Sequence, residues 1–194
     1  MIPLLLLTLF LFRNLFTPAT AQTTTSPYTA WTITNLSIAG LPYHSEEAAH
    51  DPTLNTVSLD ISDPNDYATN STAPTPFTAH CTVRFAYRNP PYGTYVNCTP
   101  TSSSPGSKGD FLFAIYPTRV DPGAGDPSLD KVWTPGQDFT VILRLVLRER
   151  GVWFEGLVDF SSGTNMWGLC SAGGVCSFGN EKGGVAVTVT GPWM

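Results

Sequence analysis

Charge is scarce in this chain: 13% of its 194 residues are Asp, Glu, Lys or Arg, about half the usual share for a soluble domain. What remains is acidic, with a net charge of −5, so there is no basic footprint for a nucleic acid. Beyond the first twenty residues no apolar run is long enough for a helical membrane span. Helical periodicity is missing too; the segment HSEEAAHD (His44 to Asp51) has room for one turn and nothing more. No G-x-S-x-G elbow, phosphate-binding loop or dinucleotide fingerprint occurs. With 3 histidines and 4 cysteines, side chains for metal or nucleophilic chemistry are few. His44, Glu46, Glu47, His50 and Asp51 form one ligand-like cluster, but histidines six apart fit neither helical nor strand zinc spacing. A solvated loop explains them, and no metal or cofactor is expected.

What is present is turn chemistry and period-two patterning. Glycine and proline number 17 each, well above the ~12% they make up together in average usage. In FTAHCTVRFAY, Phe77, Ala79, Cys81, Val83, Phe85 and Tyr87 share one face, while Thr78, His80, Thr82 and Arg84 share the other. Such alternation marks a sheet with one dry and one wet side. Similar runs occur at 31–38, 57–61, 94–98, 111–115, 139–147, 152–160 and 185–190. The fold class expected is all-β: one antiparallel barrel or sandwich of about eight strands. Two segments, Thr99 to Asp110 and Asp121 to Asp130, read as long loops.

Met1 to Phe12 is apolar and is followed by Ala19-Thr20-Ala21, the pattern of a secretory leader cleaved after Ala21. The expected organisation is a leader over 1–21, a mobile polar lead over 22–30 and one β domain over 31–194. Secretion agrees with three glycosylation sequons, at Asn35, Asn70 and Asn97. It also agrees with an even number of cysteines. Cys81 and Cys98 fall on neighbouring strands, and Cys170 and Cys176 bracket a short loop. The pairings 81–98 and 170–176 are therefore expected over a zinc site. No cysteine precedes Cys81 to link a dimer, and after leader removal nothing anchors the chain in a membrane.

Catalytic constellations are weak. Glu149, Glu155 and Asp159 are close in sequence, but alternation puts the last two on a solvent face, so no catalytic residue is assigned. Leu147 and Val152 flank Arg148-Glu149-Arg150-Gly151, and pairing residues whose numbers sum to 299 makes the inner face wholly apolar. A slip by one residue would set Glu155 against Leu145 in the core. The outer face then carries Val146 opposite Trp153, Arg144 opposite Glu155 and Ile142 opposite Leu157. Ile142, Val146, Trp153 and Leu157 thus form an apolar strip on the wet side. Such a strip is covered by another element or used for binding, and Trp153 is its natural anchor.

The order Trp31-x-Ile33, Asn55-x-Val57, Phe77 before Cys81, Tyr95 before Cys98, Phe111-x-Phe113, then Cys170-Ser-Ala-Gly-Gly, Cys176 and Val187-Thr-Val-Thr190, resembles a known family. It is similar to the secreted fungal proteins related to the major allergen of Alternaria. That resemblance implies a disulfide-stapled β-barrel secreted by a fungus as an elicitor or virulence effector. The leading expectation is a non-enzymatic secreted effector that binds an extracellular host protein. Two alternatives stand beside it: a carbohydrate-binding or carbohydrate-active β-sandwich using exposed tryptophans, and an inhibitor of a host hydrolase.

Overall fold

Alternating apolar residues build this protein into layers. A computed structural model describes residues 26–40, 55–67, 71–86, 89–102, 109–117, 137–170, 176–180 and 183–194. The strands, in chain order, are β1 (Trp31–Gly40), β2 (Asn55–Asp66), β3 (Ser71–Phe85), β4 (Val96–Asn97), β5 (Thr99–Pro100) and β6 (Asp110–Pro117). They continue with β7 (Phe139–Leu147), β8 (Val152–Phe160), β9 (Trp167–Cys170), β10 (Cys176–Gly179), β11 (Val185–Val187) and β12 (Val189–Trp193). Sheet 1 runs β5-β3-β2-β1-β10-β9, with β11 also on β1, and sheet 2 runs β12-β8-β7-β6-β4. All named strand pairs are antiparallel. The architecture is a sandwich rather than a closed barrel.

Both lateral edges are joined by a chain that changes sheet. β4 lies in sheet 2 and β5 in sheet 1, with Cys98 between them. The Cys98 N–H donates to the Phe111 carbonyl at 2.8 Å, and its sulfur is bonded to Cys81 on β3. On the other side β11 belongs to sheet 1 and β12 to sheet 2, with Thr188 at the turnover. Gly156 on β8 makes room there: a Cβ would lie 2.6 Å from Val187 Cγ1 and 3.1 Å from the Thr188 carbonyl. The expected eighth strand, 185–190, is therefore two. The expected fourth, 94–98, shortens to β4, and β5 falls at the start of the segment from Thr99 expected to be a loop, because the chain changes sheet at Cys98. The second disulfide, Cys170–Cys176, closes the β9–β10 hairpin, which the alternation did not announce.

The core lies between the sheets. Trp31, Phe111, Phe113, Phe139 and Phe160 are among the largest fully buried side chains. Trp31 meets Phe111 edge-on at 5.1 Å, and Phe77 stacks on Phe111 at 5.6 Å, arrangements that suit the ring quadrupoles. β2 carries polar groups inward at one end. Buried Asp63 accepts at Oδ1 from the Asn65 backbone N–H (2.9 Å) and side-chain amide (2.8 Å). Burial pushes the Asp63 carboxyl above its ordinary range, against the bonds from Asn65, Tyr67 and Trp31. Of the lead expected to be mobile, residues 26–30 are held in place. Thr29 exchanges hydrogen bonds with the Asn65 side chain at 2.9 Å, and Tyr28 packs on Tyr67 and Phe154. The leader, Asn70, the His44–Asp51 cluster and the 121–130 loop lie outside the described residues.

Candidate functional site

The β7–β8 hairpin fixes which side chains face outward. Its register pairs Leu147 with Val152, Leu145 with Phe154, Val141 with Val158 and Phe139 with Phe160, the pairing the sum of 299 requires. Gly151 closes the turn at φ 63, a conformation glycine adopts without steric cost. Val146 therefore stands beside Trp153 and Ile142 beside Leu157 on the outer face of sheet 2. Ile142, Val146 and Trp153 are half-buried, while Leu157 is 51% exposed.

Arg144 sits in the middle of this strip, between two rings. Its guanidinium carbon is 4.3 Å from the Tyr95 ring centre and 4.2 Å from that of Trp153. Arg144 Nη2 donates to Glu155 Oε2 at 2.8 Å, and the Tyr95 hydroxyl donates to the same oxygen at 3.3 Å. Burial raises the Tyr95 phenol above its usual range; Arg144 pulls the other way, while Glu155 and Tyr116 add to the rise. The hydroxyl therefore stays protonated and keeps donating. On the far side of Trp153 lies Trp193, paired with it across β8 and β12, ring centres 5.9 Å apart. The result is a continuous row, Tyr95–Arg144–Trp153–Trp193, set across the sheet. Trp153 cannot offer a flat face to a sugar, because Arg144 lies over its ring.

Trp193 is different. It is 48% exposed and borders a concavity of about 380 Å3 that Ser26, Pro27, Thr190 and Pro192 also line. That volume is at the small end of ligand pockets, and none of these lining side chains is charged. Elsewhere, Trp167 (40% exposed) and Leu169 (84%) stand on the β9 arm.

The acids weighed for catalysis are otherwise engaged. Glu155 holds Arg144, and Asp159 accepts from Thr140 Oγ1 at 2.5 Å. They stand four residues apart on one strand, roughly 13 Å at the usual rise, beyond the reach of paired-carboxylate hydrolysis. Glu149 is in the exposed turn between β7 and β8. Among the described residues no group of three or more His, Cys, Asp or Glu could hold a metal ion. Asn35 is exposed on β1, and Asn97 is exposed on β4 opposite Leu112.

Tyr95 and Trp193 are the members of this face that pattern reading missed; Arg144 was placed on it opposite Glu155, but not between two rings. Trp193 follows Gly191-Pro192, a break that hides its place on a strand. Tyr95 reaches Arg144 from outside the strand order. No family model matches this chain, and neither a curated protein nor a solved structure matches it.

Proposed function

We propose that the protein is a secreted, non-enzymatic binding protein that engages an extracellular protein of a host through the outer face of sheet 2. The observation that carries this reading is the row Tyr95–Arg144–Trp153–Trp193 with Leu157 exposed on the same face. Tryptophan, tyrosine and arginine are the residue types richest in binding hot spots. Here they are held in place before any partner arrives, which lowers the ordering cost of association. Secretion is supported by the leader-like residues 1–21 and by two disulfides, which persist in oxidising compartments. Among the described residues no helix is long and apolar enough to cross a membrane. The host-facing role follows from the resemblance to secreted fungal effectors.

The test is retention of proteins from host extracellular fluid on the immobilised protein. Trp193→Ala and Leu157→Lys should each weaken a retained partner by about 30-fold, the ratio for a hot spot of ~2 kcal/mol. Trp167→Ala, on the other sheet, should leave it unchanged. Equal retention by all three variants, each with native circular dichroism, refutes the assignment of this face. The uncharged concavity beside Trp193 favours a second reading, a carbohydrate bound against that ring. Loss of binding to an immobilised polysaccharide in Trp193→Ala, with no protein retained by the wild type, would decide for it.

A further inference from the structure

The outer face of sheet 1 has another chemistry. Strand register builds hydroxyl rows across it, Thr32–Ser62–Thr78 and Ser37–Ser58–Thr82. Thr78 extends the first row to Thr101, hydroxyl to hydroxyl at 2.8 Å. Between the rows, Asp60 and His80 are neighbours at 2.7 Å. This face is too polar for an apolar element to cover, because each hydroxyl would lose its water partners. Hydroxyl groups that both donate and accept are matched by the hydroxyls of a carbohydrate.

Asn35 stands among these rows. β1 carries an irregularity between Thr34 and Ser37, and Asn35 there has φ 51, a left-handed conformation asparagine tolerates better than most residues. The extra residue returns Leu36 and Ile38 to the core and leaves Asn35 facing out, Nδ2 donating to Asp60 Oδ2 at 2.8 Å. Asn35-Leu36-Ser37 is also a glycosylation sequon.

We propose that Asn35 carries an N-linked glycan whose first sugars lie on the hydroxyl rows of sheet 1. The inference rests on the secretory reading above. In the attachment step Asn35 Nδ2 attacks the anomeric carbon of an oligosaccharide carried on a lipid pyrophosphate. The N–C bond forms and the C–O bond to pyrophosphate breaks. The electron pair leaves with the lipid pyrophosphate, and one amide proton passes to a base. The second amide N–H remains, so the linkage keeps its hydrogen bond to Asp60. Asn97, at the border of the aromatic face, has Cys98 as the middle residue of its sequon. That cysteine is buried in the bond to Cys81, and its closure competes with sugar transfer. Of the two described sequons, the one on sheet 1 thus carries carbohydrate and the one beside the aromatic face stays bare.

The experiment is expression of the full chain in a eukaryotic secretory host, followed by glycopeptide mapping and hydroxyl-radical footprinting. The comparison protein is Ser37→Ala, which removes the acceptor sequence and keeps Asn35; Asn35→Gln is the second variant should the first fail to fold. Asn35 should be occupied, and His80 oxidation should be severalfold lower than in Ser37→Ala, with Trp193 oxidation equal in both. A bare Asn35 in a chain that has lost residues 1–21 overturns the proposal and leaves secretion standing. A chain that keeps residues 1–21 and bears no sugar at any sequon overturns both. Equal His80 oxidation with Asn35 occupied also overturns it, since the glycan then projects into solvent. A bare Asn35 with retention on an insoluble β-glucan, lost in Trp167→Ala, assigns the face to a free polysaccharide instead.

Discussion

Replacing Arg144 by leucine removes the centre of the aromatic row, and the structure sets the size of the loss. Two ring faces hold the guanidinium at 4.3 and 4.2 Å, each contact worth about 1 kcal/mol at a partly shielded site. The ion pair to Glu155, with side chains 29% and 22% exposed, adds at most about 1 kcal/mol. Against these stands Arg144 Nε, which is buried without a hydrogen-bond partner; removing it returns on the order of 1 kcal/mol. The net expectation is a destabilisation of about 1–2 kcal/mol, or roughly 2–8 °C in Tm for a chain of this size. A double-mutant cycle with Trp153→Leu, read by urea denaturation followed by circular dichroism, isolates the ring contact. Its coupling energy should be about 1 kcal/mol, whereas independent sites add to within about 0.3–0.5 kcal/mol. A coupling below about 0.3 kcal/mol would falsify the claim that the rings hold the cation, and with it the preorganised binding face.

Asp63→Asn should stabilise the protein at neutral pH, because the buried carboxyl titrates above its ordinary range. Its contribution is intact below the unfolded pKa and is lost as pH rises through the native one. The melting gain should therefore be present at pH 7 and nearly absent at pH 3; equal gains at both contradict the burial argument. Gly156→Ala places a methyl group against Val187 and the Thr188 carbonyl, and should cost about 1–3 kcal/mol by overpacking. A neutral result in chemical denaturation would mean that the turnover at Thr188 yields easily. Removing the 81–98 disulfide should cost about 3 kcal/mol and removing 170–176 about 2 kcal/mol, from loops of 17 and 6 residues. The reverse order in denaturation of the two double-alanine variants would show that the smaller loop is the stronger constraint.

The β7–β8 hairpin was legible because two constraints agree on it. The apolar alternation admits one register, and Gly151 supplies the left-handed turn that closes it. β2 and β3 were legible from alternation alone, with Leu59 beside Cys81 and Ile61 beside Ala79 inside. The β9–β10 arm was not, because Trp167 to Cys170 has all four residues exposed and a strand without a buried face has no period to read. The sheet changes at Cys98 and Thr188 escaped notice because alternation reports burial, and both halves of such a strand face the same core. The apolar strip was legible residue by residue, but its chemistry was not. What occupies Arg144 is a tyrosine from beyond the sheet's hairpin and a neighbour to a C-terminal tryptophan, and only tertiary structure brings them together.

The two places where the chain crosses between sheets bear on whether copies of this protein can polymerise. Growth by backbone pairing needs two ends on every molecule, each offering several unpaired residues in line. At one crossing β4 and β5 are two residues each. At the other β12 is interrupted by a register shift between Thr190 and Trp193, and Pro192 has no N–H to donate. The β9 arm is a further edge, four exposed residues in line with Trp167 and Leu169 among them. Pairing between two copies at β9 uses up that edge in both, and the two crossings offer a third copy only short or interrupted runs.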